Sequence, residues 1–188
     1  MEAFLVSTGV VALAEIGDKT QLLALLLAAR WRRPVPIIVG ILAATIINHA
    51  LAGAVGAWVQ ALLSPTALAW VLGLGFLAMA VWILIPDRLD DTALKTGRLG
   101  VFGATFVAFF LAEMGDKTQI ATVAMVAQFS NYSAVVIGTT LGMMIANVPV
   151  VLMGGKLADR LPVAWVHRVA AVIFAGLGLF AIANAMQL

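Results

Sequence analysis

Between residues 14 and 21 the chain reads Ala-Glu-Ile-Gly-Asp-Lys-Thr-Gln, three charged side chains inside an apolar run long enough to cross a bilayer. The same octapeptide returns at residues 112–119, again in an apolar run, with Met114 in place of Ile16 as its one difference. The copies lie 98 residues apart in a chain of 188. An ionisable side chain at bilayer depth costs about 2.5–3.5 kcal/mol on insertion scales, so six of them facing lipid would cost ~15–20 kcal/mol. They must face one another, water or a bound ion.

The rest of the chain supplies that apolar setting. Hydrophobic residues make up 63% of it, charged residues 11%, and the mean hydropathy is +1.09, which excludes an ordinary soluble domain. The net charge of +2 arises mainly from short basic loops, with no basic face interleaved with aromatics, so nucleic acid is excluded as a partner. No cysteine is present, which removes disulfides, thiolate metal ligands and thiol nucleophiles together. The start, Met1-Glu2-Ala3-Phe4, lacks the basic region of a signal peptide and reads as part of a retained first helix.

Six apolar segments are long enough to span a core of about 30 Å: Phe4 to Ala29, Pro36 to Leu62, Thr66 to Ile85, Leu99 to Gln128, Ser133 to Gly155 and Val163 to Met186. Turn-forming residues separate them. Three segments precede the central loop and three follow it. Because three is odd, the second half enters the membrane from the opposite side. The expected fold is therefore an all-α integral membrane protein of six transmembrane helices built as two inverted three-helix repeats. Residues 1–86 form the first, 87–98 a cytoplasmic linker and 99–188 the second, within one membrane domain. Gly40 and Gly138 keep the 98-residue offset, whereas Asn48 and Asn147 pair at 99. Outside the two signatures the nine basic residues are Arg30, Arg32, Arg33, Arg88, Lys95, Arg98, Lys156, Arg160 and Arg168. All lie in or beside the first, third or fifth loop, which places those loops in the cytoplasm and both termini outside it. Trp58, Trp70 and Trp82 serve either as interfacial anchors or in ordinary packing.

If the signature continues a helix, Glu15, Asp18 and Lys19 share one narrow face and Gly17 lies opposite, where it allows close helix approach, as Gly115 does in the second copy. Gln21 then neighbours Asp18, while Thr20, like Thr118, points away into helix packing. Inversion about an axis in the membrane plane brings Glu15, Asp18, Glu113 and Asp116 together near the bilayer centre. With Lys19 and Lys117 balancing part of their charge, the cluster sums to minus two, which one divalent cation or two protons neutralise equally. Carboxylate, amide and carbonyl oxygens suit Ca²⁺, Mn²⁺ or Mg²⁺ rather than Cu⁺ or Zn²⁺. Gln21, Asn48, Gln119 and Asn147 are possible auxiliary oxygen donors, and the two Asn serve equally well as interhelical hydrogen bonds. The bland alternative for the signature is a pair of intrahelical bridges, Glu15 with Lys19 and Glu113 with Lys117. His49 and His167 read as packing or interface residues rather than proton carriers. Met143, Met144 and Met153 read as core, and Asp87, Asp90, Asp91 and Asp159 as a solvated loop surface.

Glu15-Ile16-Gly17-Asp18-Lys19-Thr20 and Glu113-Met114-Gly115-Asp116-Lys117-Thr118 resemble the E-x-G-D-(K/R)-(T/S) signature of the small divalent cation/proton antiporters, a family that includes bacterial manganese exporters and Golgi manganese and calcium transporters. The resemblance extends over the whole six-segment layout. It implies that the acidic signature residues bind the transported ion as metal ligands, that the chain is a transporter and not an enzyme, and that it needs no cofactor beyond its substrate ion, Mn²⁺ or Ca²⁺, and protons. The short central loop resembles prokaryotic members and implies a bacterial inner membrane. Two other readings compete: an exporter of a small organic cation or amino acid, for which the signature shows no apolar pocket, and an intramembrane metal-dependent transferase or hydrolase, for which there is no separate nucleophile and base.

Overall fold

The computed structural model describes residues 1–85, 99–153 and 163–187, and every regular element among them is an α-helix. In order these are α1 (Glu2–Glu15), α2 (Lys19–Trp31), α3 (Pro34–Leu62), α4 (Pro65–Trp82), α5 (Gly100–Glu113), α6 (Lys117–Phe129), α7 (Tyr132–Met153) and α8 (Val163–Ala185). Local chemistry sets several of the ends. Pro34 and Pro65 open α3 and α4 at positions where a missing N–H costs nothing, and the Ser64 hydroxyl accepts from the Ala67 N–H at 3.3 Å. Arg32 and Ser130 close α2 and α6 in the left-handed conformation, each returning its N–H to a carbonyl of the last turn.

Four helices, α3, α4, α7 and α8, are long and apolar enough to cross a membrane. Large apolar side chains such as Leu5, Trp58, Val172 and Phe180 stand more than half exposed, a surface suited to lipid. Trp82, by contrast, packs against the main core cluster.

The expected continuous helices over Phe4 to Ala29 and Leu99 to Gln128 are not formed. Each is two short helices, 14 and 13 residues in both copies, divided at the signature. At 1.5 Å per residue each piece is only about 20 Å long. The expected linker, 87–98, lies outside the described residues, as do Asp87, Asp90, Asp91, Asp159 and five of the nine loop cations.

α1 packs on α7, α5 on α3, and α4 on α8. Small residues permit these approaches. A Cβ on Gly138 of α7 would sit 2.7 Å from the Phe4 carbonyl oxygen and 3.1 Å from Ser7, and one on Gly40 of α3 would sit 3.0 Å from the Phe102 carbonyl oxygen and 2.9 Å from Thr105. Phe4 and Phe102, Ser7 and Thr105, and Gly40 and Gly138 all stand at the 98-residue offset, so one helix contact is made twice with the halves exchanged. Phe76 and Phe174 meet at 6.2 Å between ring centroids and join α4 to α8. A second cluster around Leu23, Ile37, Ile41 and Phe109 ties α2, α3 and α5 together.

Candidate cation site

The two signatures fold alike. After Glu15 the backbone turns extended at Ile16, enters the left-handed region at Gly17 (φ +82°), and restarts a helix with Asp18 as its N-cap. After Glu113 the path through Met114, Gly115 (φ +73°) and Asp116 is the same. An L side chain is disfavoured at such φ, so glycine is what allows the break. The expected role in close helix packing is thereby corrected for Gly115, where nothing lies within 4 Å of an added Cβ; at Gly17 a Cβ would lie 2.2 Å from a Val163 methyl, so that glycine serves both the break and the close approach of α8.

The break frees backbone groups that neighbouring side chains then satisfy. Gln21 Oε1 accepts the Gly17 N–H at 2.9 Å, and Gln119 Oε1 accepts the Gly115 N–H at 2.8 Å. The two amide oxygens expected to face an ion therefore hold the turn, and Gln21 further donates Nε2 to the Ala146 carbonyl at 3.0 Å. Thr20 and Thr118 also depart from the packing role expected of them. Thr20 donates its hydroxyl to Glu15 Oε2 at 2.5 Å and Thr118 donates to Glu113 Oε2 at 3.1 Å, with Asp116 Oδ2 at 3.4 Å.

All four acids are buried, Glu15 and Glu113 completely. Glu15, Glu113 and Asp116 each present an oxygen within 4.8 Å of the others. The remaining acid, Asp18, stands outside that triple and faces Lys117 at 3.9 Å, while Lys19 meets Asp116 at 2.7 Å. Each lysine thus reaches the acid of the other half, and the intrahelical Glu–Lys bridges do not form because the helix is broken between the partners. Lys117 also donates to the Ile85 carbonyl at 2.9 Å. The second oxygen of Glu15 and of Glu113 has no hydrogen-bond partner among the described residues. A buried, unsatisfied carboxylate oxygen is costly, and two of them on neighbouring carboxylates are acceptors that a hard cation or a proton would satisfy.

Asn48 and Asn147 use their amide nitrogens on the Phe110 carbonyl (3.1 Å) and the Met143 carbonyl (3.1 Å), leaving both buried amide oxygens without a partner among the described residues. His167, read from the sequence as packing, bonds the Ile16 carbonyl at 2.7 Å and so pins the first break. Beside it a cavity of about 570 Å³ is lined by Gly17, Leu84, Val163, Ala164, His167 and Arg168. The sequence signals for the break were present in Gly17 followed by Asp18, a helix breaker and then an N-cap residue; nothing in the sequence marks His167.

Paired broken helices that bury carboxylates inside an apolar bundle are the arrangement of an ion-carrying membrane protein. The chain belongs to the family described as divalent cation/proton antiporter GDT1, whose sequence profile matches residues 3–91 and 101–188. It is 55% identical over 93% of its length to a Vibrio cholerae protein named "Putative manganese exporter", covering 87% of that protein. It is 31% identical to the GDT1-like protein sll0615 of Synechocystis, over 93% of each chain. With the Saccharomyces cerevisiae divalent cation/proton antiporter GDT1 it shares 26% identity over 93% of this chain and 81% of the yeast protein. No solved structure matches it. The family is one of transporters, not enzymes.

Proposed function

We propose that the protein exports a divalent cation from the cytoplasm in exchange for protons, with Mn²⁺ the leading substrate and Ca²⁺ the second. The observation that carries this reading is the cluster of Glu15, Glu113 and Asp116, with one unpartnered oxygen on each glutamate. The cluster and Asp18 carry four negative charges against the two of Lys19 and Lys117. One divalent cation neutralises the remainder, and so do two protons, so each occupant displaces the other. Thr20 and Thr118 hold one oxygen of each glutamate and turn the other toward the ion. Lys19 and Lys117 balance charge across the halves, and the amide oxygens of Asn48 and Asn147 are the neutral donors in reach of further coordination. Gln21 and Gln119 act by keeping the turns in shape.

The name of the Vibrio cholerae relative supports Mn²⁺ and an outward direction. In this reading the four short helices pair end to end into two spans, so that the chain crosses six times as two inverted repeats, in a bacterial inner membrane with both termini outside the cytoplasm. The cavity beside Gly17 and His167 is the cytoplasmic approach to the ion. Purified protein in liposomes under an imposed pH gradient tests the reading with Mn²⁺, Ca²⁺ and Mg²⁺ compared. Gradient-driven Mn²⁺ movement is expected, and no divalent movement for any of the three would overturn it.

A further inference from the structure

His49 is a polar group in the bundle that the proposed cycle does not use. It is fully buried in α3, and among the described residues neither ring nitrogen has a hydrogen-bond partner. An imidazole is not an inert filler, and leaving a polar group of this kind unsatisfied in an apolar interior is costly.

Its surroundings follow from the contacts above it on the same helix. A Cβ on Gly56 would lie 2.3 Å from the Val123 carbonyl oxygen and 3.1 Å from Val126, and Gln60 hydrogen-bonds Ser130. α3 and α6 therefore run in the same direction, with Gly56 and Gln60 lying beside residues 67–70 positions later. The same spacing carried down to His49 brings it level with residues 116–119, where Asp116, Lys117 and Thr118 open α6. Helical phase agrees: at 100° per residue, His49 falls about 20° from Gly56, which faces α6, and about 40° to the other side from Gly53, which faces Tyr132 and Val136 of α7. The ring thus lies on the α3 face turned to α6 and α7, at the height of the second signature. Asn48, whose buried amide oxygen also lacks a partner among the described residues, is its chain neighbour. At the 98-residue offset the counterpart of His49 is Asn147, a second buried side chain with an unpartnered oxygen.

We propose that His49 is a nitrogen ligand to the transported cation and the residue that makes this site favour a first-row transition ion such as Mn²⁺ over Ca²⁺. The proposal rests on the reading of the acidic cluster as the cation site. Mn²⁺ shares the hard oxygen ligands of Ca²⁺ and Mg²⁺, but as a first-row divalent ion it also binds at mixed nitrogen and oxygen sites, whereas Ca²⁺ is held by oxygen. A site of carboxylates and amides alone has little basis for choosing Mn²⁺; one neutral nitrogen donor supplies it without changing the charge sum. His49 does not join the triple of Glu15, Glu113 and Asp116 within 4.8 Å. Ligation therefore belongs to a state in which the ion has moved toward α3, as a cycle that carries it across the bundle requires.

The test uses the purified full chain loaded with Mn²⁺ alone, comparing the parent with His49→Asn, which puts the second half's residue in both halves, and with His49→Gln. Electron spin echo spectroscopy of the bound Mn²⁺ should show coupling to a ¹⁴N nucleus in the parent and lose it in both variants. In liposomes the half-saturating Mn²⁺ concentration should rise about tenfold, the effect of a single lost ligand, while that for Ca²⁺ stays within about threefold. Nitrogen coupling that survives both substitutions, no coupling in the Mn²⁺-loaded parent, or equal losses for the two ions would overturn the role of His49 and leave the acidic site standing. A parent that binds no Mn²⁺ would overturn both.

Discussion

Gly17 and Gly115 occupy the same backbone conformation in different surroundings, and the difference predicts unequal tolerance of a methyl group. Alanine at either position carries the left-handed penalty of roughly 1–2 kcal/mol. At Gly115 that is the whole cost, because the space beyond is open. At Gly17 the new carbon would lie 2.2 Å from a Val163 methyl, so the start of α8 must shift, for about 1–3 kcal/mol more. Thermal unfolding of the purified protein in detergent should rank the parent above Gly115→Ala and Gly115→Ala above Gly17→Ala; equal losses would contradict the geometry. At this scale the shared burial of the four acids was legible from its cost alone, because charge inside an apolar run has few destinations, though Asp18 stands outside the triple of the other three. The roles of Gln21, Gln119, Thr20 and Thr118 were not. They depend on where the helix stops, and a helix drawn straight through residue 17 points each of those side chains the wrong way.

The helices tell the same story one level up. Apolar periodicity marks where a chain can be buried but not where it is interrupted, so Phe4 to Ala29 reads as one span although α1 ends at Glu15 and α2 begins at Lys19. The break also re-sorts the ion pairs. In an unbroken helix Glu15 and Lys19 stand one turn apart, whereas here Lys19 meets Asp116 and Lys117 faces Asp18, so the charges bridge the two halves. The paired contacts of α1 with α7 and α5 with α3 were legible only as the recurrence of Gly40 and Gly138, and those two residues provide the test. Valine at either would press a side chain against a backbone carbonyl that has no alternative rotamer. Gly138→Val and Gly40→Val should each lower the unfolding temperature sharply, reflecting a loss of about 1–3 kcal/mol or more. Gly75→Ala, with nothing within 4 Å of the new carbon, should leave it unchanged or raise it slightly. Comparable losses in all three variants would argue against these interfaces.

Across the whole molecule, the proposed charge arithmetic links the site's two occupants, and the distribution of loop charge predicts its orientation. With nine basic residues beside the first, third and fifth loops and no Lys or Arg in the others, reporters fused to either terminus should be accessible from outside the cell and one in the 87–98 segment only from inside. A cytoplasmic terminus would contradict the assigned orientation. The central claim is that one buried site alternates between a divalent cation and about two protons. Its most direct test is simultaneous recording of Mn²⁺ and proton flux in proteoliposomes, for the parent and for Asp18→Asn and Asp116→Asn, each of which keeps the side chain's size and removes one negative charge. The account predicts that the parent moves about two protons against each Mn²⁺ and that both variants insert and fold but lose the coupled flux. Undiminished Mn²⁺ flux in the two variants, independent of the pH gradient, would contradict it.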